Sequence, residues 1–300
     1  MRLNEAIDLY LGTFDKQTTR IAYNKGLKTL MEIVGTHRLV DEITPADLIR
    51  VHNELLSRDY AAATLRQRTT TLKSFFNWLV QMEMLENNPA RVLKSKKLNA
   101  PRTREKAVTD DEVQLLLNIA QYTSRRDYAL VMFLADTGAR IGAVARLRER
   151  EINWSKREAT LINDKGDHTH QVKFGNDTSL VLRQYLLWRK PTNGDFVFSP
   201  NGGQILGSSL SQRINRLCIK LRGQGQNIRT ISAHAFRHRK GHQLGDAHIP
   251  LPIISTALNH QSWQSTMNYL PDDWSSAADT LDDFSLKRGT FSSKKKSKDG

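Results

Sequence analysis

Between residues 1 and 94, apolar side chains recur at intervals of three and four, the period of helices that bury one face. A first helix begins at Asn4-Glu-Ala-Ile-Asp-Leu-Tyr-Leu, and a second over 18–34 sets Ile21, Leu27, Leu30 and Ile33 on its apolar side. Ile43-Thr-Pro-Ala-Asp-Leu carries a start signal, with Thr44 as N-cap, Pro45 at the first helical position and Asp47 at the third. A long helix over 62–80 follows, with Leu65, Leu72, Phe75, Phe76 and Leu79 on its buried face, and Asn87-Asn-Pro-Ala ends the run. The pattern predicts a small all-helical bundle for 1–94.

The pattern then breaks. Residues 95–106 are polar and basic, contain Pro101, and read as a linker. Such a segment is either a plain solvated connection or, with its charge, a strap across a phosphate backbone. From 107 a larger mixed domain runs to 285. Thr109-Asp-Asp-Glu112 is a capping box ahead of Val113-Gln-Leu-Leu-Leu. Alternation in Ala159-Thr-Leu-Ile and Gln171-Val-Lys-Phe predicts two strands around a turn at Lys165-Gly166. Helices are expected near 178–190, 208–222, 232–246, 250–258 and 262–268. Residues 286–300, with Ser292-Ser-Lys-Lys-Lys-Ser-Lys298, are too polar to pack and are expected to be disordered. No internal repeat is visible. The fold class is therefore mainly α with a small β-sheet, an α+β chain in two domains.

Composition sharpens this. A chain of 300 residues suits two domains, each with its own core. The net charge of +14 favours a polyanionic partner, because Lys and Arg displace counterions condensed on phosphate. No segment is apolar over the roughly 18 residues that a spanning helix needs, and Met1-Arg-Leu-Asn-Glu-Ala lacks an apolar signal core. The single cysteine, Cys218, excludes an internal disulfide and a cysteine cluster for zinc. A reducing, cytoplasmic setting is expected.

Six side chains then suggest a chemistry. In chain order they are Arg140, Lys165, His234, Arg237, His260 and Tyr269. A phosphodiester gains negative charge on its equatorial oxygens when attacked, and guanidinium forks match that geometry. Arg140 and Arg237 are the candidates. A tyrosine hydroxyl, with a free pKa of about 10, needs cationic or basic neighbours to act as a nucleophile near neutral pH. Tyr269 with its arginines and histidines fits that need. The leaving deoxyribose oxygen needs a general acid, and Lys165 at a hairpin tip is placed to serve. His234 and Arg237, three apart, share a helix face. Singly, each residue is unremarkable: a lone Arg is usually on the surface, a lone Tyr or His usually structural. The order and local spacing of all six carry the reading.

Those residues resemble the tyrosine recombinase (phage integrase) family, of the simple two-domain Xer-like type, over nearly the whole chain. Thr137-Gly-Ala-Arg140 matches its Thr-Gly-x-Arg, Asp164-Lys165-Gly166 its hairpin Gly-Lys-Gly, and His234-Ala-Phe-Arg237-His238 its His-x-x-Arg-His. Leu258-Asn259-His260 stands for Leu-Gly-His, and Tyr269 follows nine residues later, after Thr266. The resemblance implies a SAM-like core-binding, DNA-binding bundle in 1–94 and a catalytic domain in 107–285. It implies a site-specific recombinase or integrase that cuts and rejoins DNA through a 3′-phosphotyrosyl link to Tyr269, without metal, ATP or other cofactor. Double-stranded DNA would be the partner, with a homotetramer in the synaptic complex, a monomer off DNA, and an accessory or paired recombinase as a further partner. The setting would be the cytoplasm, at the nucleoid; a phage or mobile-element enzyme fits at least as well as one that resolves chromosome dimers. Four positions depart. Ala143 stands where a glutamate is usual, Asn259 replaces glycine while tolerating a left-handed backbone, and Lys240-Gly241 replaces small or apolar residues of the histidine helix.

Other readings stay open on sequence alone. His234, His238 and His242 recur every four residues as a metal stripe would, though with no His-Glu-x-x-His or cysteine cluster beside them. A type IB topoisomerase shares the same chemistry, and a catalytically silent DNA-binding regulator could share the fold.

Overall fold

The computed structural model describes residues 1–94, 103–162, 169–189, 193–260 and 263–269. The chain divides into two compact units, Met1–Ala100 and Pro101–Gly300.

The first unit is all helical: α1 (Leu3–Gly12), α2 (Gln17–Val34), α3 (Pro45–Ser57) and α4 (Ala62–Gln81), with short 3-10 turns at Val40–Glu42 and Pro89–Val92. The predicted start of α3 is present in full. Thr44 accepts from the Asp47 N–H, Asp47 returns to the Thr44 N–H, and Pro45 opens the helix. Leu27, Leu30, Leu48, Val51, Leu55, Leu72, Phe75, Phe76 and Leu79 are fully buried in one core. Tyr10 meets Phe75 edge-to-face at 5.4 Å. Ile21, expected on the buried side of α2, is 47% exposed, so the packed stripe of that helix begins further along, at Gly26 and Leu27. The long helix stops at Gln81, where Glu83 turns left-handed (φ 58°), ahead of the Asn87-Asn-Pro signal.

The second unit holds α5 (Thr103–Lys106), α6 (Asp110–Thr123), α7 (Arg125–Thr137), α8 (Ile141–Arg146), β1 (Ile152–Asn153), β2 (Glu158–Ile162) and β3 (Thr169–Lys173). It continues with α9 (Asn176–Trp188), α10 (Gly207–Gly223), α11 (Ala233–Asp246), α12 (Leu251–Leu258) and α13 (Trp263–Met267). The capping box at Thr109 and Glu112 opens α6. Among the described residues the three strands form one antiparallel sheet in order β1-β2-β3, with Ala159 opposite Val172 and Leu161 opposite His170. Ala159, Leu161 and Val172 are buried, so the period of two sets one face on the core. Residues 163–168, Lys165 among them, and the tail 286–300 lie outside the described residues.

Several features were not in the pattern, α8 and the edge strand β1 among them. α7 is nearly continuously buried from Ala129 to Leu134. Within the range read as a linker, Thr103–Lys106 forms a helical turn fastened to its own unit. Arg104 pairs with Asp246 at 2.6 Å, and Arg229 donates to the carbonyls of Glu105 and Ala107. Among the described residues no helix is long and apolar enough to cross a membrane.

Candidate active site

Thr137-Gly138-Ala-Arg140 is the joint between α7 and α8. Gly138 caps α7 in the left-handed region (φ 62°, ψ 21°), its N–H returning to the Leu134 carbonyl. A Cβ there would lie 2.7 Å from the Lys240 Cβ, so the glycine also admits α11 close alongside. Arg140 follows as the N-cap of α8.

On α11, Arg237 is 2% exposed and points at the same joint. Its Nη1 donates to the Gly138 carbonyl at 3.3 Å, and its Nη2 donates to the Leu258 carbonyl. Arg140 Nη1 donates to the next carbonyl, that of Asn259, at 2.9 Å. Leu258 and Asn259 end α12. The last carbonyls of a helix lack intrahelical partners and carry the negative end of its dipole. The two guanidiniums therefore cap one helix end, and that places them side by side. Asn259 makes this possible by adopting φ 50°, ψ 59°, with the His260 N–H returning to the Ser255 carbonyl. The left-handed tolerance expected of Asn259 is used. Ala143, at the position where a glutamate was expected by resemblance, is buried in the core, and Arg140 is steadied by the Asn259 carbonyl.

His260 leaves α12 and shares a hydrogen bond between its Nδ1 and Thr266 Oγ1 at 2.9 Å. Thr266 is fully buried, and its carbonyl accepts from the Tyr269 N–H at 3.0 Å. One turn thus links His260 to Tyr269, and their rings stack at 5.7 Å and 12°. Tyr269 is 3% exposed and packs against α11. A Cβ at Gly241 would come within 2.6 Å of its ring, and one at Gly245 within 2.1 Å of its carbonyl oxygen. His242 meets the ring edge-on at 5.1 Å, and His238 Nδ1 lies 3.2 Å from the hydroxyl. His234, one turn before His238, touches that ring edge-to-face at 4.6 Å.

Five of the six expected residues, Arg140, His234, Arg237, His260 and Tyr269, thus come together around α11 and the end of α12. Lys165 falls between β2 and β3, outside the described residues. The two-glycine notch of α11, the partnership of His238 with the hydroxyl, and His170 did not stand out in the sequence. The last is on the Val172 face of β3 and lines a cavity of about 730 Å³ with Asn259 and His260. Its Nδ1 is buried without a hydrogen-bond partner among the described residues. The signal was available, because alternation puts residue 170 on the same face as the buried Val172.

The electrostatics follow from crowding cations in a half-buried space. Burial first, then the neighbouring Arg140, brings Arg237 down to about 10, with Tyr269 opposing. It stays charged at neutral pH. Burial, followed by the charges of Arg140 and Arg237, puts His170 at about 4, and burial with the same two arginines puts His260 at about 4. His234 is lowered by burial, then by Arg237, Arg140 and Lys106. Burial raises the Tyr269 phenol, while Arg237 and Arg140 pull it back. Two cations that repel one another beside neutral imidazoles make a receptor for an anion with several oxygens. Among the described residues no group of three His, Cys, Asp or Glu is placed to hold a metal ion, the His234–His238–His242 ladder included.

Comparisons with known proteins bear on the family and the fold. Residues 106–274 match the phage integrase family, and residues 15–83 match the phage integrase N-terminal SAM-like domain. Tyrosine recombinase XerC of Myxococcus xanthus is 27% identical over 238 residues, covering 75% of this chain and 77% of the relative. Tyrosine recombinase XerD of Proteus mirabilis is 26% identical over 262 residues, 84% of this chain and 82% of the relative. In fold, the chain resembles a Tn1549 transposon integrase solved with transposon right-end DNA, with TM-score 0.79 and 15% identity over 95% of this chain and all of that one. It also resembles lambda integrase, solved as a tetramer bound to a Holliday junction, with TM-score 0.71 and 15% identity over 90% of this chain and 76% of that one. With a family match over more than half of its length, joined by a second at its N-terminal unit, the chain belongs to the phage integrase family.

Proposed function

We propose that the chain is a site-specific DNA recombinase whose nucleophile is Tyr269. The observation that carries this reading is the shared helix end: Arg140 and Arg237 cap α12, and the turn that follows brings His260 and Tyr269 back against them. A phosphodiester seated on the two guanidiniums would face the Tyr269 hydroxyl, whose ionisation Arg237 and Arg140 favour. As the phenolic oxygen attacks phosphorus its proton passes to water, and the bond to the 5′ oxygen of the next nucleotide breaks. That oxygen leaves as a hydroxyl with a proton from Lys165, and the DNA is left joined to Tyr269 by a 3′-phosphotyrosyl bond. The bond is conserved in energy, so a 5′ hydroxyl from a second duplex reverses the step without ATP. Arg140 and Arg237 stabilise the charge that builds on the equatorial oxygens. Lambda integrase, similar in fold and solved as a tetramer bound to a Holliday junction, supports a homotetramer here during exchange.

The test is covalent trapping with a pool of nicked duplexes, in EDTA and without ATP. Wild type is expected to give a DNA adduct that survives denaturation and that Tyr269→Phe lacks while still binding DNA. Arg237→Ala is expected to slow adduct formation by about 10²–10³. Lys165→Ala is expected to slow it too, and a better leaving group at the cleaved bond restores the rate. DNA bound with no adduct from any duplex would make the chain a silent DNA-binding relative. Relaxation of supercoils without a preferred site would make it a topoisomerase.

A further inference from the structure

We propose that His238 is a positioning residue for the nucleophile: its Nδ1 accepts the hydrogen bond of the Tyr269 phenol and so directs the hydroxyl's lone pairs toward phosphorus. The proposal rests on the reading that Tyr269 is that nucleophile.

The ring of Tyr269 is held on three sides. His260 stacks on its face at 5.7 Å, His242 meets it edge-on at 5.1 Å, and the bare Cα of Gly241 backs it. With the ring plane fixed, the remaining freedom is rotation of the O–H bond about the ring carbon. The 3.2 Å contact to His238 Nδ1 sets that rotation. The direction of the bond matters chemically. A phenol that donates to an imidazole nitrogen keeps both oxygen lone pairs for attack and gains electron density. A protonated imidazole would instead donate to the oxygen and occupy a lone pair.

The surroundings keep His238 neutral, and with its proton on Nε2 the ring leaves Nδ1 free to accept. Its environment is half-buried and cationic, with His234 and His242 on its own helix, Arg237 between them, Lys106 on α5 and His260 from the turn after α12. Burial first, then His234, Lys106, His242 and Arg237, puts His238 at about 4. No proton is transferred in this step: the hydrogen stays on the phenol until phosphorus is engaged. His234, edge-to-face at 4.6 Å, braces the His238 ring from the other side.

Two substitutions separate this role from simple packing. His238→Phe keeps a ring of similar size and removes the acceptor. His238→Asn gives up the ring and sets an amide oxygen near the place of Nδ1. Adduct formation is followed in single turnover on the nicked-duplex pool, with DNA binding in parallel. The Phe variant is expected to bind DNA within about twofold of wild type and to form adduct about 10–100-fold more slowly, with Asn recovering most of the rate. A second readout needs no DNA. In full-length protein labelled at the ring Cζ of its seven tyrosines, the resonance missing from Tyr269→Phe reports the phenol's hydrogen bond. It is expected to shift in His238→Phe and to return toward wild type in His238→Asn. An unshifted resonance in the Phe variant, or adduct formation at the wild-type rate, overturns the proposal. Equal slowing by both variants does so as well, since it leaves His238 only a packing role. Wild type without adduct fails the recombinase reading instead, and the resonance still tests the hydrogen bond.

Discussion

Gly241 sits where helix propensity and the site make opposite demands. A glycine inside α11 costs about 1 kcal/mol relative to alanine, yet the missing Cβ is what lets the Tyr269 ring lie on the helix. Gly241→Ala is therefore expected to displace the Tyr269 ring, with adduct formation falling about 100-fold and the thermal midpoint unchanged or lower, since overpacking offsets the gain in helix propensity; a variant that cleaves at the wild-type rate would contradict this. The histidines give a second test. Unfolded, His170, His238 and His260 titrate near 6.5; folded, each sits at about 4. Between those values the unfolded chain binds more protons, so stability is full above pH 6.5 and is lost as pH falls toward 4. Thermal midpoints measured from pH 7.5 to 4.5 should fall, and His170→Gln should flatten part of the fall. At this scale the sequence was legible wherever a side chain announces its chemistry, as Arg237 and Tyr269 do. It was opaque where the function lies in an absent side chain, because Gly241 and Gly245 acquire meaning only when a residue from the next helices comes to rest on them.

Among the elements, α12 has a role larger than its eight residues. It ends in a left-handed Asn259, and the carbonyls exposed by that ending are the seats of both arginines. Glycine costs nothing extra in that backbone region, whereas a β-branched residue is strained there by about 1–2 kcal/mol. Asn259→Gly should leave stability and cleavage near wild type. Asn259→Val should destabilise by about 1–2 kcal/mol in denaturant melts and lower cleavage more than DNA binding; equal behaviour of the two variants would show that the turn is not what places the arginines. Helix starts were readable from sequence because a capping box is local: Thr44 with Asp47, and Thr109 with Glu112, each close within four residues. The extent of α7 was not, since burial on nearly all sides from Ala129 to Leu134 erases the period of a surface helix. The turn at Thr103–Lys106 was also hidden, as the residues that fasten it, Asp246 and Arg229, lie more than a hundred positions away.

Over the whole molecule, charge is the property that both units share. Residues 1–100 hold 15 Lys and Arg against 11 Asp and Glu, and residues 101–300 hold 30 against 20. Each unit also has its own core, the first around Phe75 and Phe76, the second around Phe133, Phe198 and Phe236. Two separately folded basic bodies on one chain are suited to engaging one polyanion together, each contributing phosphate contacts of its own. Every phosphate neutralised releases condensed counterions, so the logarithm of affinity falls with the logarithm of salt by about 0.9 per contact on duplex DNA. Binding of full-length protein to a duplex of arbitrary sequence, followed by fluorescence anisotropy, is expected to weaken by about 10³-fold or more between about 50 and 200 mM salt. Residues 1–94 alone should bind more weakly and with a shallower slope, because only part of the contact set remains. Tyr269→Phe should match wild type in slope, since it removes no charge. A flat salt response would mean that the excess of 14 positive charges is not directed at phosphate. Equal slopes for the fragment and the full chain would place the whole electrostatic footprint on the first unit and leave Arg140 and Arg237 to act only after DNA has been captured.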